Sequence, residues 1–130
     1  MNDPMLEVTL IDGGRGIRLV SDGAVTGETF VRVHQAIADA APGVIDGVRY
    51  WFSDHSLLSA VHLRGMDAAA VADVGLRLVE RLPHLVVVNL ARGDLEYGML
   101  RVWEARSAGH GWPTETVRRA DEVAPALERL

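Results

Sequence analysis

LVVVNLARGDLEYGMLRVWE, residues 85–104, is the stretch whose reading decides the fold. Leu85 to Leu90 is apolar on both faces, as a central strand covered by helices on either side must be. Arg92-Gly93-Asp94 breaks that run, and helical periodicity follows at once. The spacing predicts a helix capped by Asp94, with Leu95, Met99 and Val102 as its inner stripe. Arg92-Gly93-Asp94 also spells an adhesion tripeptide, but in this setting it reads as a strand-to-helix turn.

Upstream of it, Asp67 is placed to cap a helix whose buried side is Val71, Val74, Leu78 and Leu82, closed by Pro83. Before that, Val48 to Ser53 is a strand rich in aromatic and branched residues, stopping at Asp54. Thr26 caps a first helix with Phe30, Val33, Ile37 and Ala40 at helical spacing, ending before Pro42-Gly43. At the start, Leu6 to Ile11 and Ile17 to Val20 read as a hairpin around Asp12-Gly-Gly-Arg-Gly16, and Ser21 to Val25 as a second loop. The three glycines are no phosphate cradle, which needs a helix after the loop rather than a strand. Downstream, a loop with Gly109, Gly111 and Pro113 leads to a weak strand at Thr114 to Arg118. A last helix runs from about Asp121 to Leu130, its start drawn toward Pro125. Strands alternating with helices imply parallel pairing, so the expected fold is α/β: a mixed, mostly parallel sheet of about five strands, an N-terminal antiparallel hairpin and about four helices.

A chain of 130 residues fits one domain, residues 1–130, and no repeat or linker divides it. There is no cysteine, and all 13 basic residues are arginine. Thiolate nucleophiles, Schiff bases, lysine general bases and P-loop lysines are thereby excluded. A net charge of −5 leaves no footprint for nucleic acid. No apolar run approaches the roughly 20 residues that span a bilayer. The opening residues, MNDPMLEV, lack the basic and apolar regions of a signal peptide, so a cytoplasmic protein without integral membrane association is expected. The histidines at 34, 55, 62, 84 and 110 fall at no metal-ligand spacing, so neither a metal nor a cofactor is expected.

The element order resembles the STAS fold of bacterial anti-sigma factor antagonists, and within it the divergent SpoIIAA-like family, which is also similar to lipid-binding CRAL-TRIO domains. The residues that carry the resemblance are Asp54-His-Ser56, Asp67, and above all Asp94-Leu-Glu-Tyr-Gly98 with Leu100, Arg101 and Trp103-Glu104; Val117-Arg118 and Leu127 echo it. It implies a regulatory domain that binds a protein partner. Phosphorylatable members carry a serine where the second helix starts. Here Leu63-Arg64-Gly65-Met66-Asp67 stands there, so no phosphorylation switch is expected at that place.

Ser53-Asp54-His55-Ser56 holds the letters of a catalytic triad, but adjacent residues do not converge as one. Position still gives Asp54, His55 and Asp94 weight, because ligands bind beyond the carboxyl ends of parallel strands. The connection from Leu57 to Met66 carries Leu57, Leu58, Val61, Leu63 and Met66, many apolar residues for a loop. It reads either as core cover, with Ser59 to Leu63 adding a short strand, or as a lid over an apolar pocket or a patch for a partner. Trp103 and Trp112 are placed to line such a surface or to pack on their own segments. The candidate binding residues are therefore Asp54, His55, Leu58, Val61, Asp67, Asp94 and Tyr97. The first expectation is a non-enzymatic module that binds a protein partner. The alternatives are a carrier or sensor of a small hydrophobic ligand or lipid, and an enzyme using Asp54 and His55 as an acid–base pair. A homodimer on helix faces or a sheet edge is compatible with either binding role.

Overall fold

Asp12, Gly13 and Gly14 turn the chain back on itself with φ of 53°, 63° and 88°, a left-handed run that two glycines make sterically accessible. In the computed structural model this turn joins β1 (Leu6–Ile11) to β2 (Gly16–Thr26). There follow α1 (Gly27–Ala38), β3 (Tyr50–His62), α2 (Gly65–Arg81), β4 (Val86–Leu90), α3 (Asp94–Ser107), β5 (Thr114–Val117) and α4 (Val123–Arg129). The structure describes residues 5–62, 65–107 and 112–130, without the side chains of 60–62, 65–68, 71–72, 99, 102–103 and 106–107. The five strands lie in sheet order β1-β2-β3-β4-β5. β1 pairs antiparallel with β2, and every later pair is parallel.

Strand alternation divides the side chains between two faces. One face carries Leu6 and Val8, Ile17 and Leu19, Trp51, and Val87. These pack with Val33 and Ile37 of α1 and with Leu78 and Leu82 of α2 in the larger core. The other face carries Val88, Leu90 and Val117, with Phe52 at their border, under Val123, Ala126 and Leu127 of α4. Among the described residues no helix covers that second face over β1 and β2, and it carries Glu7, Thr9, Arg18 and Asp22 in the open, the usual state of an antiparallel pair with one wet side.

Helix ends are tied as their chemistry requires. Thr26 is the N-cap of α1, its hydroxyl accepting from the Thr29 N–H at 3.2 Å. The last carbonyls after α1 are gathered by Arg81 of α2, which donates to Ala38 O at 2.9 Å, to Ala40 O, and to Ala41 O at 3.3 Å. Pro125 sits in the first turn of α4, where a missing N–H breaks no helical bond. The final element is a 3-10 turn at Ala120–Glu122 followed by α4, rather than one helix from Asp121.

Further sequence expectations are corrected. Asp94 lies in the first turn of α3, which begins at that residue, and its carboxylate pairs with Arg118 instead of standing before the helix as its cap. Ser21 to Val25 is strand, not loop: β2 runs on to Thr26, with Gly23 at φ 73° and register shifts on either side of Asp22–Gly23. β3 does not stop at Asp54 but runs to His62, so most of the expected Leu57–Met66 loop is strand and the start of α2. Asp67 lies inside α2, which begins at Gly65, and so does not cap it. Leu95 is not in an inner stripe but 73% exposed in the first turn of α3; Met99 and Val102 lie outside the described side chains.

Candidate functional site

β3 is the backbone of the site. Its ladder with β4 ends at Asp54, opposite Leu90, while its ladder with β2 continues to His62 opposite Thr26. Between the pairs Val20–Asp54 and Asp22–Leu57, β3 spends one more residue than β2. That is a β-bulge at His55-Ser56, a device that re-aims side chains.

The alternation places Asp54 and His55 on opposite faces. Asp54 lies on the α4 side of the sheet. Its Oδ1 accepts from the Ser56 N–H at 2.9 Å and the Ser56 hydroxyl at 2.6 Å, and its Oδ2 is 3.7 Å from Arg18 Nη2. The carboxylate is thus held by its own turn and by a diagonal neighbour on β2. His55 lies on the α1–α2 side, its Nδ1 hydrogen-bonded to Ser21 Oγ at 2.8 Å. An acid–base pair working in one pocket is not what this arrangement provides.

Around His55 the sheet carries polar side chains in an otherwise apolar layer. Leu19, Ser53, Asn89 and Thr116 form one rung across four strands. Ser21, Ser53, Asn89 and Thr116 are all buried. The Trp51 indole N–H donates to Ser53 Oγ at 2.8 Å, and Thr116 Oγ1 donates to Glu104 Oε2 of α3 at 3.0 Å. His34, from α1, stacks between Phe30 (centroids 3.9 Å apart) and Trp51 (5.5 Å), and Trp51 stacks on Trp112 at 6.2 Å. His34 Nδ1 is 2.7 Å from the Phe30 carbonyl oxygen. A carbonyl only accepts, so Nδ1 carries the proton and a neutral His34 has its lone pair on Nε2. Desolvation pushes both imidazoles down to about 4 from the ordinary 6.5, against a small opposing pull from Asp54 at His55. Both rings are neutral at pH 7. They are hydrogen-bonding and packing groups there, not poised proton donors.

The second cluster stands at the carboxyl end of β4. The Arg118 guanidinium lies 4.9 Å from the Tyr97 ring centroid, donates to Arg92 O at 3.0 Å, and pairs with the Asp94 carboxylate. This ties the end of β5 to the first turn of α3 and accounts for Asp94 and Tyr97 as a pair. Leu95, two residues before Tyr97 and so on another side of the helix, is exposed to solvent.

Of the sequence candidates, Asp54 and His55 are neighbours in the chain on opposite faces, Leu58 is half-buried farther along β3, and Asp94 and Tyr97 share the Arg118 clamp. The side chains of Val61, Asp67 and Trp103 lie outside the described residues. Trp112 packs on the larger core and donates to Leu82 O at 2.6 Å. Among the described residues no three metal-binding side chains converge, and no helix is long and apolar enough to cross a membrane. Sequence reasoning missed Ser21, His34, Ser53, Asn89 and Thr116. The usable signal was parity: Ser53 and Asn89 fall at inward positions of strands that are otherwise apolar, and His34 falls in the Phe30–Val33–Ile37 stripe.

No family model and no curated protein matches the sequence. In structure the chain is similar to the anti-sigma factor antagonist SpoIIAA in its unphosphorylated form, with a TM-score of 0.58 and 12% identity over 95% of this chain and 97% of that one. The fold is therefore the SpoIIAA-like, or STAS, α/β fold.

Proposed function

We propose that this chain is a non-enzymatic regulatory module that binds a protein partner, as its structural relative's name implies for that protein. The observation that carries the reading is similarity over nearly the full length of both chains. The groups that would serve an enzyme support it from the other side, since Asp54 and His55 are each engaged within the fold. The partner's footprint is placed at the start of α3. There Leu95 is exposed next to the exposed Asp94 carboxylate, while Tyr97, held by Arg118, lies on another side of the same turn. An exposed leucine with a carboxylate beside it suits a small apolar pocket on a partner, with the charge at its rim.

The test is site-specific photo-crosslinking in the native host. A photoreactive phenylalanine at position 95 is expected to give one discrete polypeptide adduct. The same group at Leu76 of α2, 59% exposed, is expected to give none. Adducts of equal yield at both positions, or at neither, would count against the assigned surface.

A further inference from the structure

Among the described residues, the fold leaves the far part of β3 unpaired on one side, in addition to the two outer edges of the sheet. In a parallel pair, alternate residues of β3 turn their N–H and C=O groups away from β2. Up to Asp54 these groups meet β4, but β4 ends at Leu90. Beyond it, β3 continues to His62 for about 26 Å, at ~3.3 Å per residue, and among the described residues β2 is its one neighbouring strand. Among the described residues, no backbone group of Leu57 to His62 is hydrogen-bonded on the side that β4 has vacated.

Unpaired edges are adhesive, and proteins blunt them with charge or brevity. The two outer edges of this sheet are blunted in that way. β1 carries Glu7. β5 spans Thr114–Val117 and holds Glu115, which pairs with Arg129 at 2.5 Å. The β3 extension has neither charge nor brevity to blunt it, and its irregularities are the bulge at His55-Ser56 and a second one at Ser59, between the pairs Gly23–Leu58 and Ala24–Ala60. Ser56-Leu-Leu-Ser-Ala-Val-His62 contains no aspartate, glutamate, arginine or proline, in a chain whose net charge is −5. Leu57, on the face away from α1 and α2, is 59% exposed, and Ser59 is exposed beside it.

We propose that this edge pairs with the same edge of a second copy of the chain, antiparallel about a two-fold axis, so that one sheet runs through both molecules. The occupant follows from charge. A two-fold contact sets a surface against itself, and in an acidic chain most self-contacts oppose like charges. Seven residues without a carboxylate or guanidinium, His62 being the one imidazole among them, carry little of that repulsion, while their backbone groups supply the pairing. The mate's strand also shields Leu57. This interface is separate from the Leu95 surface, so either can fail without the other.

The experiment is sedimentation equilibrium on the full chain over a wide concentration range, with hydrogen exchange measured at both ends. The expected result is a reversible dimer of twice 14.1 kDa. Amides of 57–62 should exchange more slowly at high concentration and those of β1 should not change. Ser59→Lys and Ser59→Glu each place like charges across the axis and should weaken the dimer about tenfold or more. An equimolar mixture of the two variants should restore it, which a merely misfolded variant cannot do. Leu76→Lys should leave association unchanged. A chain that stays monomeric throughout overturns the proposal, as does a dimer indifferent to both Ser59 variants. A peptide strand from another protein on this edge, with no self-association, overturns it equally.

Discussion

Acidification should unfold this protein through two rings. His34 and His55 have folded pKa values of about 4, and the ordinary unfolded value is 6.5. The folded state therefore resists protonation. Above about pH 6.5 both states are neutral and nothing is lost. As pH falls from there toward 4, the unfolded chain takes up protons that the native rings refuse, and stability drops. Below 4 both states are charged and the loss levels off. At pH 5 an unfolded imidazole is almost fully protonated and a native one about one-tenth so, which at 1.36 kcal/mol per tenfold factor is about 2 kcal/mol per ring. Both rings keep some contact with solvent, so screening reduces the sum, and a combined loss of about 2–4 kcal/mol between pH 7.5 and 5 is expected. Urea denaturation followed by tryptophan fluorescence at a series of pH values measures it. His55→Gln, which leaves Ser21 a partner, should remove about half of the slope, and His34→Gln about half again. The reasoning is refuted if NMR titration finds either ring changing charge near 6.5, or if the double variant keeps the wild-type slope.

Three further outcomes follow from single contacts. Thr26→Ala removes the cap of α1 and should cost about 1 kcal/mol in urea denaturation, with the helix fraying from its N-terminus by hydrogen exchange. Ser53→Ala leaves the buried Trp51 indole N–H without its acceptor and should cost about 1–3 kcal/mol; the indole ¹⁵N–¹H resonance should shift, and no shift would mean the bond is absent. Ile37→Ala, at 0% exposure between α1 and the sheet, should cost about 2–5 kcal/mol by the same denaturation assay.

The elements legible in sequence were those with a strong local cause. β4 announced itself by an unbroken apolar run, the first hairpin by Asp12 to Gly16, and α1 by Thr26 with a regular stripe. β2 past Val20 and β3 past Ser53 were not legible. Their residues, Ser-Asp-Gly-Ala-Val and Asp-His-Ser-Leu-Leu, have loop-like composition, and what makes them strand is their pairing with each other across the chain. Leu95 misled for a different reason. Apolar residues recur around α3 at Leu95, Met99, Leu100, Val102 and Trp103, so more than one face reads as inner. At the site, Asp54 and His55 were visible as residues, but their separation onto two faces and the bonds to Ser21 and Ser56 depend on strand register and on a bulge. Neither has a sequence signature. The resemblance to SpoIIAA-like domains, by contrast, rested on α3 and its neighbours, and the fold agrees with it.

Partner binding is the central claim, and native mass spectrometry of the protein purified from its own host tests it most directly. The account predicts the 14.1 kDa chain together with a second, different polypeptide, and loss of that polypeptide when Leu95 is replaced by glutamate while the fold is kept. A chain carrying instead a mass of a few hundred daltons and no polypeptide, or a complex that Leu95→Glu leaves intact, would contradict it.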